Sequence, residues 1–195
     1  MASEISDKYL ITEWIHQCDE LEEFWPNSVA TLRVIAVNEC GKPHVFVSYI
    51  RFGTKASKGA SNLSAGGIGL PFNWDDGSYF DEAYQYLDYA VDGNYKIDRH
   101  PDTKIIFKGK KIPHFDKVKK LVEDICGFLV VHTYFGFDIM IQNDGVKICE
   151  INSQPAMNYE QLMFGGLWKN KDPYVVNYFK ERVAKLDEKE CFRHF

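Results

Sequence analysis

The stretch Gly136 to Asn152 constrains this chain more than any other. It reads as two strands joined by a tight turn. Asp138, Met140 and Gln142 alternate with Ile139 and Ile141, and Asn143-Asp144-Gly145 carries hairpin turn chemistry. On strict alternation, Val146, Ile148 and Glu150 share one face of the returning strand, and Lys147, Cys149 and Ile151 the other. Glu150 and Asn152 are two residues apart and so project together, with Asp138 beside them across the pair. Two carboxylates and an amide oxygen converging in this way destabilise a sheet unless something neutralises them. Magnesium would, since it takes one or two carboxylates together with phosphate oxygens. A solvent-facing polar stripe on a half-buried hairpin accounts for the same spacing.

Composition narrows the rest. A chain of 195 residues with 45% hydrophobic and 26% charged residues can bury a proper core as an ordinary globular protein. Fourteen Phe and eleven Tyr favour strands and large apolar contacts. A net charge of −5 argues against nucleic acid or an anionic membrane as main partner. Five scattered cysteines without a Cys-x-x-Cys pair form neither a disulfide framework nor a zinc site, which points to a reducing cytoplasm. No apolar run approaches membrane-spanning length and the N-terminus carries no signal pattern.

Further elements follow in order. Tyr9 to Ile15 reads as a short strand, and the acidic run Asp19 to Glu23 as a short helix or turn. Thr31 to Asn38 and His44 to Phe52 make an antiparallel hairpin across Glu39-Cys40-Gly41-Lys42-Pro43. Gly53 to Gly69 is a long loop rich in Gly, Ser and Lys, of a length that is functional or mobile more often than merely connecting. Residues 70 to 104 read as irregular. Phe115 to Val131 has a helical apolar period, and Pro173 to Leu186 a helical tail.

Taken together, these pieces resemble the catalytic lobe of the ATP-grasp superfamily. The hairpin with Asp138, then Glu150-Ile151-Asn152 and Pro155, is similar to the signature near the end of such ligases. Arg33 and Arg51, each on its strand, resemble the arginine-bearing strands of the glutathione synthetase and ribosomal-protein glutamate ligase branches. Asn62 with Gly66-Gly67 resembles the Asn-x-x-x-Gly-Gly loop that follows there. Ser28 to Arg33, His100-Pro101-Asp102-Thr103, Ile112-Pro113 and Gln161 look closest to the sugar-transfer-associated ATP-grasp proteins, which tend to accompany polysaccharide or cell-envelope biosynthesis.

The resemblance implies an α+β fold: one lobe over residues 1–195, mostly antiparallel sheet with packed helices, of which 9–161 carry the likeness and 162–195 a helical tail. It implies ATP and Mg2+, with Asp138, Glu150 and Asn152 as metal ligands, and activation of a small or sugar-linked carboxylate for attack by an amine or other nucleophile. Arg33 and Arg51 would hold the γ-phosphate or acylphosphate, or pair with nearby carboxylates across strands. The 53–69 loop would close over the nucleotide, with Asn62 on phosphate or ribose and Gly66 and Gly67 admitting anionic oxygens to their backbone. Glu13 and Ile15 would meet adenine through main-chain groups, with Asp19 or Glu20 near the ribose. His100 would bind an anion or handle a proton at the acceptor site, or else belong to a turn that Asp102 caps. The lysine-bearing N-terminal lobe of such ligases has no counterpart before residue 9. Three readings follow: a ligase lobe completed by a partner chain or self-association, a degenerate binding module without turnover, or a non-nucleotide structural or interaction protein on the same sheet, against which the intact Asp138, Glu150, Asn152, Arg33 and Arg51 argue.

Overall fold

The computed structural model describes residues 13–90, 93–166 and 169–185. Strands β1 (Thr31–Glu39) and β2 (Lys42–Phe52) form a long hairpin. Its connection is the pair Cys40-Gly41, both at positive φ (48° and 100°), as a two-residue hairpin turn of matching twist demands. Strands β3 (Ile68–Pro71), β4 (Ala83–Gln85) and β5 (Lys96–Ile97) extend the sheet beyond β2, and β6 (Tyr134–Ile141) and β7 (Val146–Asn152) extend it beyond β1. The order is β5-β4-β3-β2-β1-β6-β7, every neighbouring pair antiparallel. The expected irregular stretch 70–104 thus contributes two short strands. They lack sequence periodicity because strands of two or three residues are too short to show any.

Central strand β1 is buried on both faces, and its two sets of alternate residues feed two cores. Leu32, Val34 and Ala36 join Phe135, Phe137 and Ile139 under helix α2 (Phe115–Phe128), which presents Phe115, Val118, Val122 and Cys126. Short helix α1 (Asp19–Glu22) adds Leu21 to the same layer. On the opposite face, Ile35, Val37, Phe46 and Val47 pack against Met163 of α3 (Asn158–Phe164) and Val175 of α4 (Pro173–Ala184).

Helix α2 stops three residues short of the expected Val131. Buried Asn38 of β1 donates its amide to the carbonyls of Cys126, Leu129 and His132, at 3.1, 3.2 and 3.0 Å. Carbonyls that a continuing helix would consume are collected by a strand side chain instead. The tail helix begins with Asp172 as N-cap, its carboxylate accepting from the Tyr174 amide, and Pro173 in the first turn. The predicted strand Tyr9 to Ile15 lies mostly outside the described residues, and residues 13–15 form no regular element.

One irregularity decides where the hairpin's carboxylates point. Ile139 pairs with Ile148 but Asp138 pairs with Glu150, so Cys149 is the extra residue of a β-bulge. Strict alternation would have put Glu150 on the face of Val146 and Ile148. The bulge shifts the phase: Val146 and Ile148 pack into the α2 core, and Glu150 stands across from Asp138 on the other face.

Candidate active site

The α3 face of the sheet is apolar at one end and charged at the other. At the charged end Arg33 (β1) lies between two register partners, Tyr49 (β2) and Asp138 (β6). Arg51, two residues along from Tyr49, projects from the same face. Both guanidinium groups converge on one carboxylate: Arg33 Nε is 2.9 Å from Asp138 Oδ1, and Arg51 donates to Asp138 Oδ2 at 2.9 Å. Arg51 also donates to Asn62 Oδ1 at 3.1 Å. Arg51 is 8% exposed and Asp138 5%, so this charge pairing is largely shielded from water.

The pairing is incomplete. The Arg33 Nε–H is misdirected, so Arg33 Nε and Asp138 Oδ1 are close in charge but make no proper hydrogen bond, and Arg51 Nε has no acceptor at all. Three buried polar atoms are thus unsatisfied in one cluster, each at a cost of about 1–3 kcal/mol. Two cations also meet one anion. Such a cluster is suited to an incoming oxyanion, which guanidinium forks receive bidentately.

Asp138, Glu150 and Asn152 have the hard oxygen chemistry magnesium requires. Glu150 is exposed opposite Asp138, and Asn152 pairs with Gly136 one step further along the hairpin. Asp138, however, is committed to the two arginines, and among the described residues no group of three or more His, Cys, Asp or Glu is placed to hold a metal. The cross-strand pairing weighed for Arg33 and Arg51 is the arrangement present. For Asp138 to bind a cation it would have to exchange a guanidinium for it. Glu150 and Asn152 have no such prior engagement among the described residues.

The Gly53–Gly69 loop differs from an open flap. Thr54 Oγ1 donates to the Gly66 carbonyl at 2.7 Å, and Ser57 Oγ bonds Thr54 and Ala60. The Gly66 and Gly67 amides donate to Leu63 and Asn62 carbonyls at 2.9 and 3.0 Å, so they are spent inside the loop rather than offered to a phosphate. Gly67 is required for space: a Cβ there would lie 2.5 Å from the Ser61 carbonyl oxygen and 2.9 Å from those of Asn62 and Phe52. Asn62 does reach the charged cluster, as the partner of Arg51.

His100 holds this loop. Fully buried, it stacks on Trp25 at 5.7 Å and meets the Gly53 carbonyl through Nε2 at 2.9 Å. Nδ1 accepts from the Asp102 and Thr103 amides, so the neutral Nε2–H tautomer satisfies every partner. Burial lowers its pKa, despite the Gly53 carbonyl and Asp102 favouring the charged form. Asp102 accepts from the Lys55 amide at 2.8 Å. The His-Pro-Asp-Thr stretch therefore latches the loop, and His100 is not brought to the arginine cluster: its ring packs on Phe52, whose side chain faces the opposite core.

Neither Glu13 nor Ile15 bonds to the arginine cluster among the described residues. Glu13 pairs with Lys147 at 2.6 Å on the surface, and Ile15 is half-buried beside Trp14 and His16 in a shallow cleft. What the sequence did not suggest is the Tyr49–Glu160 bond, Tyr49 OH donating to Glu160 Oε1 at 2.8 Å. Tyr49 could have been suspected, since it shares the face of Arg51 at i and i−2. Glu160, on a short helix with no strong period, gave no signal.

The fold thus gathers two buried guanidinium groups and one carboxylate on a single face of an antiparallel sheet. Against known protein families, residues 2–171 match the sugar-transfer associated ATP-grasp family, and the chain belongs to it. No curated protein and no solved structure matches. No helix among the described residues is long and apolar enough to cross a membrane.

Proposed function

We propose that this chain is the catalytic lobe of an ATP-dependent ligase that activates a carboxylate as an acylphosphate. The substrate carboxylate attacks the γ-phosphorus of ATP and ADP departs. A nucleophile, an amine in the simplest case, then attacks the acyl carbon and expels inorganic phosphate. The observation that carries this reading is the cluster of Arg33, Arg51 and Asp138, with its surplus positive charge and its unsatisfied buried atoms. Arg33 and Arg51 receive the transferring phosphoryl group, where charge accumulates, and Asn62 orients Arg51. Glu150 and Asn152 would hold magnesium, and Asp138 would add a further oxygen ligand if an arginine released it. Magnesium supplies neutralisation of the polyphosphate when bound.

Membership of the family supports nucleotide binding. A sugar-linked substrate, a role in polysaccharide or cell-envelope synthesis and a cytoplasmic setting complete the proposal. Unpaired Cys18 and Cys126, whose thiols burial pushes up to about 11, are consistent with a reducing compartment. Calorimetric titration of Mg–ATP tests the reading. Binding by the wild type, weakened about tenfold or more by Arg51→Ala and by Glu150→Ala, is expected. Absence of binding, or binding indifferent to both substitutions, would overturn it. Nucleotide binding without ADP release in the presence of any carboxylate would favour the non-catalytic module, a reading that Asp138's engagement by both arginines also supports.

A further inference from the structure

Gly136 lies inside β6, on the charged face between Tyr134 and Asp138, where a glycine weakens the strand. Its φ is not positive, so backbone conformation does not call for glycine there. Space does. A Cβ at this position would lie 2.6 Å from Pro155 Cβ, 3.1 Å from Pro155 Cγ and 3.4 Å from Arg33 Nη1. Pro155 is buried, and its carbonyl oxygen lies 3.4 Å from the hydroxyl of Tyr134 on the same face. The proline ring thus fills the vacancy that Gly136 leaves, beside the Arg33 guanidinium. Gly136 is also the register partner of Asn152, as Asp138 is of Glu150, so all four share one face. Pro155 follows three residues after Asn152, on the segment that carries the chain from β7 to α3. A single layer of carbon over Gly136 therefore fixes the path of that segment relative to Arg33.

We propose that Gly136 and Pro155 are positioning residues, which together set the separation between the Arg33 guanidinium and the side-chain oxygens of Glu150 and Asn152. Pro155 contributes the spacer because residue 136 contributes none. A second layer does not fit: a carbon 2.6 Å from another is far inside van der Waals contact, so the segment, the arginine or both must move. Removing the proline ring instead leaves a gap into which its neighbours relax. In the ligase reading the separation matters because one bound polyphosphate must satisfy the Arg33 fork and the Glu150 and Asn152 side together, and small misplacements are costly. The effect on nucleotide rests on that reading; the effect on where Arg33 lies does not.

The test is a double-mutant cycle with two readouts: Mg–ATP affinity by calorimetry, and the Arg33 Nε–H resonance of the ligand-free protein, assigned by its loss in Arg33→Lys. Gly136→Ala carries two carbon layers, Pro155→Gly none, and Gly136→Ala/Pro155→Gly one, moved to the other partner. Each single substitution weakens Mg–ATP binding by about tenfold or more and displaces the Arg33 resonance. The double variant returns the resonance and regains affinity to within about threefold of wild type. Measurement well below the unfolding midpoint keeps the molecules folded, so lost stability alone leaves the affinity unchanged. Single variants that bind like wild type, or a double variant no better than the weaker single, would overturn the proposal. A displaced resonance with unchanged affinity reduces the pair to packing and overturns it as well. Should Gly136→Ala fail to fold, Pro155→Gly decides: weaker binding with a displaced resonance is expected, and no change in either overturns the proposal. A wild type that does not bind Mg–ATP defeats the ligase reading, and the resonance then judges the spacer by itself. Displacement in the single variants with return in the double upholds it, and an unmoved signal overturns it.

Discussion

Asp138 can act at the charged cluster as a metal ligand or as the anion that keeps two buried arginines apart, and the two roles differ in the absence of any ligand. A residue that only binds metal contributes nothing to apo stability. An anchor contributes much, because removing it leaves Arg33 and Arg51 facing one another without a counter-charge. Asp138→Ala is therefore expected to lower unfolding free energy by about 3–5 kcal/mol, measured by urea denaturation without magnesium or nucleotide. An unchanged midpoint would return Asp138 to the metal. His100 makes a separate prediction. Its folded pKa is lowered by burial, so above its ordinary value near 6.5 both states are neutral and its contribution is complete. As pH falls through that value the unfolded chain takes up a proton that the folded chain refuses, and stability declines. Asp102 and Lys104 are the charged groups that act on it. Urea midpoints between pH 7.5 and 5 should fall, and His100→Gln should flatten that slope. A variant with the wild-type slope would mean that other groups carry it.

At the scale of elements, Asn38 is the clearest case of one strand deciding where a helix ends. Asn38→Leu keeps the volume but strands the carbonyls of Cys126, Leu129 and His132 and frees the Gly41 amide from its Oδ1 acceptor. A loss of about 1–3 kcal/mol in chemical denaturation is expected, with hydrogen exchange quickened first at the C-terminal end of α2. The same examples show what could be read from the sequence. Both hairpins were legible, because Cys-Gly and Asn-Asp-Gly turns flank runs of alternating apolar residues and such signals are local. The body of α2 was legible from its period. Its end was not, since the residue that collects its carbonyls is far away in sequence. Nor was the Cys149 bulge, which only the register of the partner strand discloses, and which moves Glu150 from an apolar face to that of Asp138. Alternation singled out Asp138 on its hairpin, whereas Arg33, Arg51 and the loop residue Asn62 were found through the family resemblance. His100 was ambiguous for a physical reason: a turn that latches a loop and a turn that presents a base share the same residues.

For the whole molecule, the question is what keeps the α3–α4 layer on the sheet, since that layer supplies Glu160 and continues from Pro155. Apolar contacts from Met163 and Val175 do part of this. The rest converges on His44 at the start of β2, whose Nδ1 lies 2.8 Å from Asp172 Oδ2 and whose Nε2 lies 2.9 Å from Glu39 Oε2. Its ring also stacks on Tyr174 at 4.4 Å. The N-cap of α4 is thereby tied to the β1–β2 hairpin through one imidazole between two carboxylates. Burial would raise the Asp172 pKa, but the bond to His44, the Tyr174 amide and the His44 charge outweigh it, and the net shift is downward. A carboxyl lowered in the folded state contributes stability that is complete above its unfolded value, near 3.9, and is lost as pH falls through the lower folded value. Acid should therefore loosen this corner. On titration below about pH 4, amide exchange in α4 should quicken, and Asp172→Asn should show the faster exchange already at neutral pH, because it gives up the carboxylate contact to His44. If α4 exchanges at the same rate in both proteins across that range, the apolar contacts alone hold the layer and the His44 corner is incidental to its docking.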